Sequence, residues 1–190
     1  MTHTSWGPDG APREAYSRVT NPERFAPLHR HAEALLEQLA SQYDVRRGEG
    51  TELGPNIDPA ERGRASIRLT PRSELAAPVQ VTFTEFPGLD VRVGRWYHDR
   101  FPGCGCDACN ESIEATVKNL NFLVECTVNG LIREELQVPW PSGDAWQIAE
   151  IGGSDLGARS TSRKRIPRRQ ALAMIQGGRM RYDWQPWSRK

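Results

Sequence analysis

The sequence has no long hydrophobic run. No stretch approaches the roughly 18 consecutive apolar residues that a membrane-spanning helix needs, which argues against a transmembrane protein. Residues 1–20 also lack the apolar core of a secretory signal peptide, so we expect a cytoplasmic protein. Cysteines are usually reduced in that compartment, and the four cysteines of this chain therefore suggest metal or thiol chemistry rather than a disulfide framework.

The common nucleotide-binding and hydrolase motifs are also missing. The sequence contains no P-loop, no G-x-G-x-x-G that opens a helix, and no G-x-S-x-G around a serine. These motifs therefore give no support to an NTPase, a dinucleotide-dependent enzyme or a serine hydrolase. We expect a binding or structural role rather than catalysis.

The composition fits a globular domain, alone or with one extension. A length of 190 residues is enough to bury a sizeable core, and 37% hydrophobic and 26% charged residues are typical of such proteins. The net charge of +1 hides an asymmetry, because residues 159–190 hold ten Lys or Arg and a single acid, Asp183. This segment is a candidate contact for nucleic acid or another anionic partner.

Two interpretations of this basic segment stay open. Its Arg163-Lys164-Arg165 and Arg168-Arg169 clusters suit phosphates, and Trp184 and Trp187 could stack on bases. In the other interpretation the segment docks on an acidic body, with the tryptophans as packing anchors. The mixed charge pattern favours the second interpretation.

Apolar periodicity predicts two main helices. Leu28, Ala32, Leu35, Leu36, Leu39 and Tyr43 recur at helical spacing and predict a helix over 26–44. A longer stripe, from Ile113 to Leu131, predicts a second helix over 111–133, with acidic residues in its first turn. A short helix is expected over 167–176.

Alternating residues predict short strands between these helices. The pattern is clear at 66–70, 79–84 and 89–93, with a tight connection at Pro87-Gly88, and it returns at 146–151. Residues 46–63 are expected to be a loop. The fold class is therefore α+β: an antiparallel β-meander of three to five strands with the two main helices packed on one face. We divide the chain into an irregular N-terminal arm (1–20), an α+β domain (21–158) and a basic C-terminal extension (159–190).

The chemistry of the chain is concentrated in one cysteine-rich turn. Three of the four cysteines, Cys104, Cys106 and Cys109, lie within six residues. The two-residue gap between Cys106 and Cys109 lets both sulfurs reach one ion, and the neighbouring glycines allow the sharp turn that would bring in Cys104. The turn therefore predicts a structural zinc site. We assign the fourth ligand to His98, since Cys126 lies deep in the second helix, where a free cysteine acts as a small hydrophobe.

Other interpretations of the turn remain. The Cys106/Cys109 pair precedes a helix and could act as a thiol oxidoreductase, although Asp107 opposes a low thiol pKa. The thiols could also be inert. Asp107, Glu111 and Glu114 could supply a general base beside a metal-bound water, as in a zinc hydrolase, but Glu111 and Glu114 also suit a helix start.

The segment around the cysteine-rich turn resembles the signature of an actinobacterial family of unknown function, DUF6226. The residues that carry the resemblance are Gly94-Arg95-Trp96-Tyr97-His98 and Phe101-Pro102-Gly103-Cys104-Gly105-Cys106-Asp107-Ala108-Cys109-Asn110-Glu111. Thr20-Asn21-Pro22-Glu23-Arg24-Phe25 and the Phe86-Pro87-Gly88-Leu89 turn support the same resemblance, which covers about residues 20–136. Members often carry Asp at the position of Asn110 and a histidine close to Tyr97. The resemblance implies no activity, and it implies a bacterial cytoplasm.

Overall fold

The structure, a computed structural model, describes residues 6–7, 10–51, 64–153, 158–175 and 180–190, without the side chains of residues 158 and 159. Two short 3-10 helices span Arg13–Tyr16 and Pro22–Phe25. The helices are α1 (Pro27–Gln42), α2 (Ile113–Val128) and α3 (Arg168–Met174). The strands are β1 (Val45–Gly50), β2 (Ser66–Pro71), β3 (Val79–Phe83), β4 (Leu89–Val93), β5 (Tyr97–Phe101), β6 (Ile132–Gln137), β7 (Ala145–Gly153), β8 (Ala158–Ile166) and β9 (Arg181–Asp183).

Strands β1 to β5 form an antiparallel sheet in which each strand pairs with the next along the chain. Its register places Val81 opposite Ile67 on one side and Val91 on the other. Because side chains alternate along a strand, these three lie on one face, and all three are buried. The meander therefore has five strands, within the predicted three to five, and its antiparallel order is confirmed.

Both predicted main helices are present and contribute to the core of the meander. Helix α1 begins at Pro27, where the missing N–H of proline costs no hydrogen bond, and it buries Leu28 and Leu36. Helix α2 begins after Ser112, whose hydroxyl accepts a hydrogen bond from the N–H of Ala115 at 3.1 Å. Side chains from both helices join the strand residues in one hydrophobic cluster, which confirms the α+β fold class.

A second antiparallel sheet, in the order β8-β7-β6-β9, differs from the sequence-based prediction. Helix α2 was expected to reach residue 133 but ends at Val128. The backbone reverses at Gly130, which has a φ of +69°, a conformation that favours glycine, and β6 follows. The loop expected over 46–63 is also partly wrong, because β1 occupies its start; residues 52–63 lie outside the described part of the chain.

The C-terminal segment supplies two strands of the second sheet and also contacts the meander. Strand β8 pairs with β7 along its whole length, and β9 pairs with β6. Trp184 and Trp187 are buried, and the indole N–H of Trp187 donates to the carbonyl of Ala77 at 2.8 Å. Ala77 lies just before β3, so this bond joins the end of the chain to the meander.

A buried carboxylate connects the two sheets. Glu134 on β6 has no exposed surface and accepts hydrogen bonds from the backbone N–H groups of Arg95, Trp96 and Tyr97 at 2.6–2.8 Å. The indole N–H of Trp184 supplies a fourth donor at 2.8 Å. Burial raises the pKa of Glu134, and these four donors oppose that shift. The connection between β4 and β5 is thereby fixed to the second sheet.

None of the described helices combines the length and the apolar composition needed to cross a bilayer.

Candidate metal centre

The cysteine-rich turn is the connection between β5 and α2. The Glu111 carboxylate holds its two ends together, because it accepts from the backbone N–H of Gly103 at 3.3 Å and from that of Cys104 at 2.6 Å. One residue further on, Ser112 caps α2. The acidic residues expected near the helix start therefore have different roles, and Glu111 closes the turn.

Gly105 allows the turn to pack closely against the β3–β4 connection. A Cβ atom at this position would lie 2.4 Å from Cζ of Phe86, which is far shorter than a normal contact. Phe86 in turn contacts Phe25, with ring centroids 5.9 Å apart. The absence of a side chain at Gly105 is therefore a packing requirement of the turn.

The structure brings the three predicted cysteine ligands together. The sulfur atoms of Cys104, Cys106 and Cys109 all lie within 4.8 Å of one another, and the sulfurs of Cys104 and Cys106 are 3.2 Å apart. Tetrahedral zinc with Zn–S bonds of about 2.3 Å requires S···S separations of about 3.8 Å. The donor set and its spacing therefore fit a zinc ion after shifts of a few tenths of an ångström to about one ångström.

The hydrogen bonds within the triad shift the pKa values of Cys106 and Cys109 in opposite directions. The backbone N–H of Cys109 and the thiol of Cys104 lower the pKa of Cys106, which is the buried member. The thiols of Cys104 and Cys106 raise the pKa of Cys109, the exposed member, to about 12. The lowered pKa of Cys106 favours its thiolate form, which is the form that binds a metal.

The N-terminal arm holds the turn from outside. Both carboxylate oxygens of Asp107 are used: Oδ2 accepts from Nε of Arg18 at 2.9 Å, and Oδ1 accepts from the N–H and hydroxyl of Thr20 at 2.9 and 3.1 Å. The N–H of Thr20 and the Arg18 guanidinium keep the pKa of Asp107 low. The indole of Trp6 also donates to the carbonyl of Ala108 at 3.0 Å. Nothing in the sequence pattern signals these contacts, which join residues 87 to 102 positions apart.

His98 and Cys126 lie apart from the triad. The Nε2 atom of His98 is 2.6 Å from Oδ2 of Asp90, and His98 does not belong to the group of mutually close ligand atoms. Cys126 lies on α2 and is fully buried in the hydrophobic core, where desolvation raises its thiol pKa to about 11. The small-hydrophobe interpretation of Cys126 agrees with this position.

The basic segment carries its charge mainly on β8 and α3. Arg163, Lys164 and Arg165 are exposed on β8, which is an edge strand of the second sheet. Part of this charge is engaged within the chain, because Nε of Arg165 lies 2.6 Å from Oδ2 of Asp144 and Arg163 stacks over Trp146. Trp184 and Trp187 are buried and have no free face on which a base could stack.

Comparisons with known proteins agree with the sequence signature. A family described as a family of unknown function, DUF6226, matches residues 3–190. Searches of curated proteins and of solved structures found no match. The match extends beyond the residues that carried the resemblance and includes the N-terminal arm, the cysteine turn and the second sheet. The chain therefore belongs to the DUF6226 family of proteins of unknown function.

Proposed function

We propose that Cys104, Cys106 and Cys109 bind one zinc ion, and that the ion has a structural role. The observation that carries this proposal is the convergence of three sulfur atoms within 4.8 Å on a short turn. The ion would hold β5, the N-terminal arm and the start of α2 in one unit, because all three contact the turn. Thiolate ligation requires reduced cysteines, so the protein would work in a reducing compartment such as the cytoplasm.

The fourth position of the tetrahedron has two candidate occupants. His98 remains the predicted ligand, but its imidazole would have to leave Asp90 to reach the triad. A water molecule is the alternative, and it would lie on the side of the exposed Cys109. An open position of that kind is the feature that a zinc hydrolase would need.

The proposal is tested by elemental analysis of protein purified without added metal or chelator. We expect about one zinc per chain, in line with a site of three or four ligands. Cys106→Ser should lose the metal, whereas Cys126→Ala, which changes the cysteine outside the triad, should keep it. His98→Ala identifies the fourth ligand, because metal loss there supports His98 and full retention supports water. Wild-type protein with no metal and freely reactive thiols would overturn the proposal.

A thiol oxidoreductase is the competing chemistry for the same residues. The sulfurs of Cys104 and Cys106 are 3.2 Å apart, so oxidation would need little movement of the chain. Mass spectrometry of alkylated protein distinguishes the two, since a redox pair would lose two hydrogens reversibly and a zinc site would protect all three thiols until a chelator is added.

A second candidate function concerns β8. The exposed cations of this edge strand suit a phosphate backbone. Under this proposal the variant Arg163→Gln/Lys164→Gln should bind a DNA duplex less tightly and with a weaker salt dependence. Arg72→Gln, on the other sheet, is the control. Equal binding by both variants, or no binding at 50 mM salt, would overturn it.

A further inference from the structure

The five-stranded meander has a second face, opposite the hydrophobic core, and this face is polar. Its central residues alternate with the buried apolar ones, so their side chains lie on one side of the sheet. We use the name polar face for Arg68, Gln80, Thr82, Asp90, Arg92, His98 and Arg100.

Asp90 lies at the centre of the polar face and is only 2% exposed. Its Oδ2 atom is 2.6 Å from Nε2 of His98 and 3.7 Å from Nε of Arg100, and its Oδ1 atom is 3.8 Å from Nε of Arg92. A single carboxylate thus faces two guanidinium groups and an imidazole. The local charge is positive even with a neutral imidazole, and Arg68 adds to it from β2.

Several buried polar atoms on this face have no hydrogen bond within the described part of the chain. They are Oγ1 of Thr82, Oδ1 of Asp90 and Nε of Arg92. Thr82 and Asp90 are directly opposite each other in the register, so the unsatisfied atoms are neighbours. Buried polar groups in native proteins are normally hydrogen-bonded, and three neighbouring atoms that make no hydrogen bond within the described residues are the reason to look for a bound molecule here.

The two arginines are arranged to share that molecule. Arg92 lies on β4 and Arg100 on β5, at diagonal positions that long side chains can bridge. Each contacts Asp90 through Nε, and neither guanidinium group pairs with another carboxylate in the described part of the chain. The side chain of Arg92 is only 19% exposed, and this desolvation lowers its pKa. A bound anion would offset the cost of burying the guanidinium charge.

We propose that the polar face binds the phosphate group of a small ligand between the Arg92 and Arg100 guanidinium groups. A guanidinium presents two parallel N–H groups that match phosphate oxygens, and two such forks approach from neighbouring strands. Asp90 is a positioning residue, because its carboxylate holds both arginines and His98 without facing solvent. This site uses none of the cysteines and goes beyond the proposed zinc site.

The proposal is tested on the full chain with inorganic phosphate as the probe, by NMR of the arginine Nε–H groups. We expect saturable shifts of the Arg92 and Arg100 resonances in the millimolar range or below. Arg100→Gln should weaken binding by about tenfold or more, because one charge-assisted contact is lost. Arg100→Lys should restore only part of it, since the charge returns without the fork.

The control is Arg47→Gln, on β1 of the same sheet but on the opposite face, where Arg47 pairs with Glu49. It should bind phosphate as the wild type does. Arg100 is more than half exposed, so its variants should fold, and their metal content should be unchanged if zinc is bound. Non-saturating shifts, or equal effects of Arg47→Gln and Arg100→Gln, would overturn the proposal without bearing on the zinc site.

Discussion

The indole Nε1 of Trp184 donates a 2.8 Å hydrogen bond to Oε2 of Glu134, and both side chains are buried where the two sheets meet. Three backbone N–H groups donate to the same carboxylate, so Glu134 satisfies four donors. We infer that this carboxylate fixes the second sheet to the β4–β5 connection.

Replacing Glu134 by Gln should therefore lower the free energy of unfolding by about 2 kcal/mol, because an amide NH₂ would face N–H donors and leave them unpaired. Glu135→Gln, at the next position on the same strand, is the matched control. Its side chain is 27% exposed and pairs with Arg133, so its loss should cost less than about 1 kcal/mol. Urea unfolding measures both, and equal losses would contradict this role of Glu134.

The two glycines of the cysteine turn should respond differently to alanine. Gly105→Ala places a Cβ 2.4 Å from Cζ of Phe86, so either the ring or the turn must shift. At Gly103 the nearest atom would be Oε1 of Glu111 at 3.6 Å, an ordinary contact. We expect Gly105→Ala to lower thermal stability and to lose metal, and Gly103→Ala to keep both near wild type. The same metal content in both variants would contradict the packing argument.

Asp107 should control release of the N-terminal arm. Asp107→Asn removes the ion pair with Arg18 and weakens the contacts with Thr20, so the arm should open more often. Trypsin cleavage after Arg13 and Arg18 should then be about fivefold faster, because cleavage follows the population of the open arm. Tyr16→Phe, at an exposed position in the same arm that is next to neither cleavage site, should leave the rate unchanged. Equal rates in the wild type and Asp107→Asn would show that other contacts hold the arm.

Cys126 should be unreactive in the folded protein. Its thiol is fully buried and has a pKa of about 11, so only about one molecule in a thousand carries the thiolate at pH 8. In metal-free protein, iodoacetamide should modify the cysteine turn first, because the pKa of Cys106 is lowered and Cys104 is partly accessible, and it should leave Cys126 unmodified until denaturant is added. Mass mapping of the modified peptides tests this. Early labelling of Cys126 would indicate that α2 opens locally in the native state.

The sequence pattern was sufficient where one element carries its own signal. Alternation predicted β2, β3 and β4, and the apolar stripes predicted α1 and most of α2. Strand β8 was missed because its residues from Ser160 to Arg165 are all exposed and polar, so only pairing with β7 defines it as a strand. The end of α2 was misplaced because Leu131 continues the apolar spacing of the helix beyond the turn at Gly130.

The candidate site was predictable to the same degree. The spacing of the three cysteines, together with the glycines that allow a sharp turn, predicted that their sulfurs come together. The partner of His98 depends on strand register, which places Asp90 and His98 on one face of a hairpin, and on side-chain packing that spacing does not reveal. Contacts between the arm and the turn join residues about 90 positions apart and have no local signature.

The hydrogen bond from Trp187 to Ala77 joins residues 110 positions apart in the sequence. It therefore cannot form until almost the whole chain has been synthesised. The meander strands emerge from a ribosome long before the two tryptophans that fill their core. Until residues near 187 are made, the nascent meander exposes an apolar surface that its final occupants do not yet cover. Because contacts of such long range form late, we expect the protein to fold slowly. We also expect the growing chain to need protection from aggregation.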